Sequence, residues 1–111
     1  MADILGKRLS IFNGGHSTIA SGLNDGHIVL NMREMNAISI SEDKQQIEVG
    51  AGCVAHEIDQ FTAPLGKAIP LGDCPVVGIA GLTLGGGIGF ISRLHGLTID
   101  HLLEARLVTP D

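Results

Sequence analysis

The chain has 111 residues, which is enough for one domain with a modest hydrophobic core but too few for two ordinary domains. Hydrophobic residues make up 44% and charged residues 17%, a balance typical of globular proteins, and three Phe without Trp or Tyr leave any core aliphatic. The net charge is −5 and the seven Lys and Arg residues are scattered, so no basic stripe is available and we expect no nucleic-acid partner.

Four short runs in the first half contain the apolar and β-branched residues typical of strands: 8–12, 27–32, 37–41 and 46–50. Polar or glycine-bearing breaks separate these runs. The hydrophilic stretch "EDKQ" joins the last two and has the length of a hairpin loop. We therefore predict that these two runs form an antiparallel ribbon.

The segment 53–66 changes to helical periodicity. Its apolar residues recur every three or four positions and fall on one face of a helix: Val54, Ile58, Phe61 and Leu65. Pro64 and Gly66 would end this helix. We interpret Glu57 and Asp59 as its solvated face.

Two further elements are expected after this helix. Residues 90–96 would form about two turns of helix ending at Gly96, and residues 103–109 would form a buried strand. The chain begins almost directly on a strand and stops at "VTPD", so we expect open sheet edges. The predicted fold class is α+β, with a mostly antiparallel sheet, one main helix and glycine-rich loops.

The sequence favours neither a targeting signal nor a membrane span. The first residues lack the basic start, apolar run and small-residue cleavage site of a secretory signal, so we expect a cytoplasmic chain as the sequence stands. Residues 74–92 are nineteen residues without a charge. However, Pro75, six glycines and the lack of interfacial Trp or Tyr argue against a transmembrane helix there.

The cysteines and histidines show no metal-binding pattern, and we expect no metal. Neither Cys53 nor Cys74 belongs to a C-x-x-C pair. The histidines outside the glycine-rich turns have no ligand spacing with them: His27, His56, His95 and His101. We interpret Cys53 as a buried inert thiol and Asp100 as a structural carboxylate that bonds nearby backbone donors.

Seven of the eighteen residues in the stretch 72–89, "GDCPVVGIAGLTLGGGIG", are glycine. A Walker-type phosphate loop would need Lys and then Ser or Thr after Gly86, but Gly87 and Ile88 follow it. A dinucleotide fingerprint lacks its third glycine, because Ser92 occupies that position. The remaining interpretation is a glycine-lined loop system whose backbone N–H groups meet a large flat or phosphorylated ligand.

The stretch "NGGHS" at 13–17 has the same character, with two glycines followed by an imidazole and a hydroxyl in a turn. We single out the two glycine-rich turns, one with His16 and one with Cys74, as the candidate site.

Five motifs, taken in their order along the chain, resemble those of a known family. They are GGHS at 14–17, G-x-C-x-x-V-G-x-x-G at 72–81, GGG-x-G at 85–89, GL-x-x-D at 96–100 and VT-x-D at 108–111. The ordered set is similar to the FAD-binding (PCMH-type) domain of the vanillyl-alcohol oxidase superfamily, and specifically to its berberine-bridge-enzyme-like FAD-linked oxidases. The resemblance covers nearly all of residues 9–111.

This resemblance implies FAD as the cofactor and roles for individual residues. His16 corresponds to the histidine that binds the flavin 8α-methyl group covalently, and Cys74 to the cysteine that forms a second link at flavin C6. Gly14, Gly15 and Ser17 would hold the pyrophosphate. Further flavin contacts are implied at Gly72, Val77, Gly78, Gly81, Leu82, Gly86 and Gly87.

The sequence also departs from the family pattern. Asn13 stands where the family usually has Arg or a small residue, and only about a dozen residues precede GGHS. The resemblance thus implies that residues 1–111 are a partial FAD-binding domain, without the N-terminal βαβ part and the C-terminal substrate domain. Catalytic residues are not assigned, and full-length members of the family can be secreted.

Two functions of different class remain open. The first is the FAD-binding portion of a flavin-dependent oxidoreductase, which oxidises a small-molecule alcohol, sugar or amine by hydride transfer to FAD with O2 as acceptor. The second is a catalytically inactive module that is either truncated or self-associating, and in the latter case it would use exposed sheet edges.

Overall fold

The computed structural model describes residues 3–4 and 6–109. Five strands, β1 to β5, lie in these ranges at Asp3–Ile4, Lys7–Phe12, Ile28–Asn31, Ile38–Ile40 and Ile47–Val49. The four strand runs expected from the sequence are therefore confirmed, with small differences in their bounds.

Strand β2 lies at the centre of a three-stranded sheet. It pairs antiparallel with β1 and parallel with β3, and in the parallel pair Leu9 lies opposite Ile28. Parallel neighbours need a crossover connection of about a dozen residues or more, which residues 13–27 provide. The GGHS turn is the first part of this crossover, so it starts at the carboxyl end of β2.

Strands β4 and β5 form the hairpin that the sequence predicts. They pair antiparallel, with Ile38 opposite Val49 and Ile40 opposite Ile47. Two of the three strand pairings among the described residues are therefore antiparallel, and the pairing of β2 with β3 is the parallel one.

Helix α1 spans Ala55–Thr62 and continues as a 3₁₀ turn over Ala63–Leu65. Gly66 ends the turn with a φ of 65°, a left-handed conformation that glycine adopts at little cost. The predicted helix is confirmed, and so is its termination at Gly66.

The hydrophobic core lies between α1 and the hairpin. Ile58 on α1 is 1% exposed and lies at its centre. The other buried members are Cys53, Ala55 and Leu71, and side chains of the hairpin pack against them: Ile38, Ile47 and Val49. The expected helix face is thus buried at Ile58, while Leu65 at the end of the helical segment remains 37% exposed.

Between Gly66 and residue 109, the structure has three short helical segments: α2 at Ile79–Leu84, α3 at Ser92–His95 and a 3₁₀ turn at Thr98–His101. The sequence interpretation treated residues 72–89 as loops and missed α2, whose six residues are too few to show a helical period. Helix α3 is one turn rather than two and ends before Gly96. No helix in the described part of the chain is long and apolar enough to cross a membrane.

The buried strand predicted at 103–109 is wrong. These residues form no regular element, and the side chains of Leu103 and Leu107 are 76% and 82% exposed. A strand needs a partner for its N–H and C=O groups, and no strand within residues 3–4 and 6–109 pairs with this segment. Pro110 and Asp111, which complete the VT-x-D motif, lie outside the described residues.

Candidate functional site

The two glycine-rich turns singled out in the sequence lie in direct contact. A Cβ added to Gly14 would come within 2.7 Å of the Val76 carbonyl oxygen and 2.5 Å of the Gly78 nitrogen. A Cβ on Gly78 would come within 2.9 Å of the Gly14 nitrogen. Real Cβ atoms essentially never come this close, so the two backbones touch only because both positions are glycine. The structure thus places the turns that carry His16 and Cys74 side by side.

The Cys74–Gly78 loop is held by the first turn of α1. The N–H groups of Ala55 and His56 donate to the carbonyls of Val77 and Pro75, at 3.0 and 2.9 Å. These donors would otherwise be unpaired at a helix N-terminus. The start of α1 is therefore engaged with the loop and is not available to a phosphate group.

The GGHS turn keeps its backbone donors available. Within residues 3–4 and 6–109, the N–H groups of Gly14, Gly15, His16 and Ser17 donate to no acceptor. The side chains of His16 and Ser17 are exposed. The Ser17 hydroxyl oxygen accepts a hydrogen bond from the Ser21 hydroxyl at 2.9 Å, which leaves its own proton free to donate. This turn can present several donors to one anion without a cationic side chain.

The two cysteines differ as the sequence interpretation expects. Cys53 is fully buried, and burial raises the pKa of its thiol, so its thiolate is disfavoured. Cys74 is a free, half-buried thiol at a turn where its carbonyl accepts the Val77 N–H at 3.3 Å. Of the two, Cys74 is the thiol that a ligand can reach.

The structure gives different physical reasons for glycine at the remaining positions of the predicted site. A Cβ on Gly87 would lie 2.5 Å from the Cβ of Thr98, and Gly86 has a φ of 96°. The packing against Thr98 therefore requires glycine at position 87, and the backbone conformation favours it at position 86. At Gly81 on α2, a Cβ would meet nothing within 4 Å, and the backbone is helical. Since glycine costs a helix about 1 kcal/mol relative to alanine, the space beside Gly81 suits an occupant from outside this chain.

Three predicted contact residues line the core side of this region. Leu82 and Val77 are half-buried, and Leu82 packs against the core. A Cβ on Gly72 would lie 3.0 Å from a terminal carbon of Leu82. Leu82 therefore packs both against the core and against the loop that contains Gly72.

The loop at Gly86–Gly87 is fixed by Thr98. The Thr98 hydroxyl donates to the Pro70 carbonyl at 2.7 Å, and its backbone N–H donates to the Gly87 carbonyl at 2.9 Å. Thr98 is 6% exposed. Sequence reasoning missed this residue, because nothing in its spacing shows that it would lie under the glycine loop.

Glu57 is not the solvated side chain that the sequence interpretation expected. Its carboxylate lies 2.8 Å from the guanidinium of Arg33 and accepts the Val54 N–H at 2.8 Å. The hydrogen bond from Arg33, followed by the one from Val54, lowers the pKa of Glu57. A carboxylate three residues after the start of a helix is a capping signal that could have identified this role. Asp59 is exposed, as expected.

Asp100 has the structural role that the sequence interpretation assigned. Its carboxylate accepts the Leu97 N–H at 2.8 Å and so caps the 3₁₀ turn. A Cβ on Gly96 would lie 2.8 Å from the same carboxylate oxygen.

The chain is similar to known proteins along most of its length. The family model described as "FAD binding domain" matches residues 1–111. The (R)-6-hydroxynicotine oxidase of Paenarthrobacter nicotinovorans is 38% identical over 104 residues, which are 94% of this chain and 23% of that protein.

Solved structures show the same fold. Wild-type BBE-like 1 of Physcomitrella patens superposes with a TM-score of 0.84 at 38% identity, over 89% of this chain and 22% of that one. The glucooligosaccharide oxidase of Acremonium strictum gives a TM-score of 0.76 at 32% identity, over 86% of this chain and 20% of that one. Its cofactor is described as 6-S-cysteinyl, 8α-N1-histidyl FAD.

The chain thus spans about a fifth of the length of these relatives. It matches the family model along its whole length, and its fold is that of FAD-linked oxidases. This chain belongs to the FAD-binding domain family, and its cofactor is FAD.

Proposed function

We propose that residues 1–111 are the part of a flavin-dependent oxidoreductase that holds FAD between the GGHS turn and the Cys74–Gly78 loop. The observation that carries this proposal is the backbone contact of Gly14 with Gly78. This contact joins an exposed imidazole, a reachable thiol and a row of available N–H donors in one place.

The GGHS turn would bind the pyrophosphate of FAD. The N–H groups at 14–17 and the Ser17 hydroxyl are donors, and neither 13–17 nor 72–89 contains Lys or Arg. Backbone dipoles would therefore supply the attraction that lysines supply elsewhere. This explains how a chain of net charge −5 can bind an anionic cofactor.

His16 and Cys74 would each contribute one covalent link. His16 presents a ring nitrogen on an exposed turn, and Cys74 presents a sulfur on the adjoining loop. The solved relative with both a cysteinyl and a histidyl link supports two attachment points in this fold. When bound, FAD would supply the hydride-accepting chemistry that the side chains of this segment lack.

The substrate class is proposed from the relatives. Their names mention a hydroxynicotine and a glucooligosaccharide. For the whole protein we propose oxidation of a small alcohol, sugar or amine, with O2 as the electron acceptor. The matched region is about a fifth of the relatives, so the substrate contacts and the βαβ part of the FAD site would come from outside residues 1–111.

A second candidate is a catalytically inactive module that associates with itself. Exposed apolar side chains favour it, and four of them lie close in sequence between the end of α2 and α3: Leu84, Ile88, Phe90 and Leu94. Exposed apolar side chains of this kind can mark an association surface. Exposed edges of the small sheets would add backbone pairing to this contact.

The intact mass of the purified, denatured chain tests the first proposal. The wild type should carry the added mass of one FAD and absorb in the blue after denaturation. His16→Ala and Cys74→Ala should each retain FAD through the other link, and the double variant should lose it on denaturation. A wild type that stays colourless at its bare mass after incubation with FAD would favour the second candidate.

A further inference from the structure

We propose that Asn13 is a positioning residue that sets the spacing between the turn of His16 and the loop of Cys74. This inference rests on the proposed function, in which both residues attach to one FAD. Asn13 directly precedes the GGHS motif.

The carbonyl of Cys53 connects the two segments. It accepts a hydrogen bond from the side-chain amide of Asn13 at 3.4 Å and another from the Ile79 N–H at 2.9 Å. Asn13 belongs to the His16 turn, and Ile79 directly follows the Cys74–Gly78 loop. Since Cys53 is fully buried in the core, both segments are tied to the same fixed point.

A second hydrogen bond fixes the position of the Asn13 side chain. Its amide nitrogen also donates to the Ala51 carbonyl at 2.5 Å. Two carbonyl acceptors determine which way the amide points, because its oxygen would be repelled there. The amide oxygen is left buried and without a hydrogen-bond partner among the described residues. A buried acceptor without a partner is costly, so the two donor bonds must outweigh it at this position.

The amide of Asn13 also acts as a spacer. A Cβ on Gly78 would lie 2.6 Å from the Cγ of Asn13, so this side chain packs against the bare backbone of Gly78. The His16 turn therefore cannot move towards the Cys74 loop without displacing the amide. It cannot move away without losing the bonds to Ala51 and Cys53.

Three substitutions separate these contributions. Asn13→Ala removes both donors and the spacer. Asn13→Ser keeps a small polar residue but removes the amide. Asn13→Asp keeps the shape and sets a carboxylate oxygen against two carbonyls, so it should have the strongest effect. Ile58→Val is the control, because it weakens the same core without touching the amide bonds.

The first readout is the ratio of doubly linked to singly linked FAD, measured by mass spectrometry of proteolytic peptides. Loss of the donor bonds should lower this ratio by up to about ten-fold in Asn13→Ala and Asn13→Ser, since a hydrogen bond is worth up to about one decade in an equilibrium. The Ile58→Val variant should keep the wild-type ratio. Equal ratios in all of these proteins would overturn the inference while leaving the proposed function intact.

The second readout needs no flavin. In the flavin-free chain, the Asn13 variants should speed amide hydrogen exchange at Met32, whose N–H donates to the Phe12 carbonyl next to Asn13, and at Ile79, whose N–H donates to the Cys53 carbonyl. Both should accelerate by a similar factor relative to the hairpin amides of β4 and β5. Uniform acceleration, as expected for Ile58→Val, would show a merely structural role and overturn the inference. A wild type that binds no FAD would defeat the proposed function, and the exchange result would then decide whether Asn13 couples the two segments.

Discussion

Gly14 and Gly78 pack backbone against backbone, with no space for a Cβ on either residue. One lies in the crossover between two parallel strands, and the other directly precedes α2. Segments more than sixty residues apart in sequence thus meet at a contact that only glycine permits on both sides. This contact makes a single site of two separate motifs.

Gly78→Ala should destabilise the flavin-free chain by about 1–3 kcal/mol, because the added methyl group would collide with Asn13 and Gly14. Urea unfolding followed by circular dichroism measures this loss. Gly66→Ala is a useful comparison, since its penalty would come from the φ of 65° and not from a collision. A Gly78→Ala variant as stable as the wild type would contradict the contact.

Gly81→Ala should have opposite effects on stability and on flavin binding. In the flavin-free chain it should stabilise by up to about 1 kcal/mol, because the added methyl group meets no atom within 4 Å and alanine favours a helix. Retained flavin should fall if the space beside Gly81 is used by FAD. Thermal unfolding of the flavin-free chain tests the first effect, and the absorbance of the same variant after incubation with FAD tests the second. Unchanged flavin content would exclude Gly81 from the cofactor site.

The ion pair of Arg33 with Glu57 should make stability depend on pH in the acid range. The pKa of the Glu57 carboxyl is lowered in the folded chain. Glu57 therefore contributes stability that is fully present when the pH is above its ordinary pKa of 4.5. This contribution is lost as pH falls through the lower folded pKa. Glu57→Gln should make the free energy of unfolding depend less on pH below about pH 4.5, as measured by urea unfolding at a series of pH values. Asp59→Asn on the exposed side of α1 is the control, and an equal flattening there would refute the assignment.

Thr98→Val should loosen the loop at Gly86–Gly87. Valine has nearly the same shape but leaves the Pro70 carbonyl without its hydroxyl donor, which should cost about 1–3 kcal/mol in urea unfolding. Thr62→Val removes another buried hydroxyl, which bonds only to carbonyls of its own helix. The smaller loss expected for Thr62→Val makes it the matched control. Equal losses in the free energy of unfolding would show that the hydrogen bond to Pro70 contributes no more than one within a helix.

Alkylation should distinguish the two cysteines. Under native conditions, iodoacetamide should modify Cys74 and leave Cys53 unmodified, because Cys53 is fully buried and its thiol pKa is raised. Peptide mass spectrometry identifies the modified residue, and both should react in denaturant. Prior incubation with FAD should protect Cys74. Faster native reaction at Cys53 would contradict the described burial.

Much of this protein could be predicted from the residues alone. The hairpin of β4 and β5 follows from two apolar runs around a polar loop, and α1 follows from a helical period with a glycine at its end. The site motifs were also visible, because glycines beside a lone imidazole and a lone thiol are unusual in any sequence. These are local features, and local backbone preferences determine them.

Tertiary structure decided the rest. Whether β2 and β3 run parallel, whether α2 forms within a glycine-rich stretch, and whether 103–109 finds a strand partner all depend on distant segments. The same holds for Asn13, Glu57 and Thr98, whose partners lie 38, 24 and 28 residues away along the chain. The sequence by itself, through its resemblance to a family, predicted which residues would bind FAD. Only the packing of distant backbones brings those residues together, because hydrogen bonds and close contacts depend on proximity in space and not on spacing along the chain.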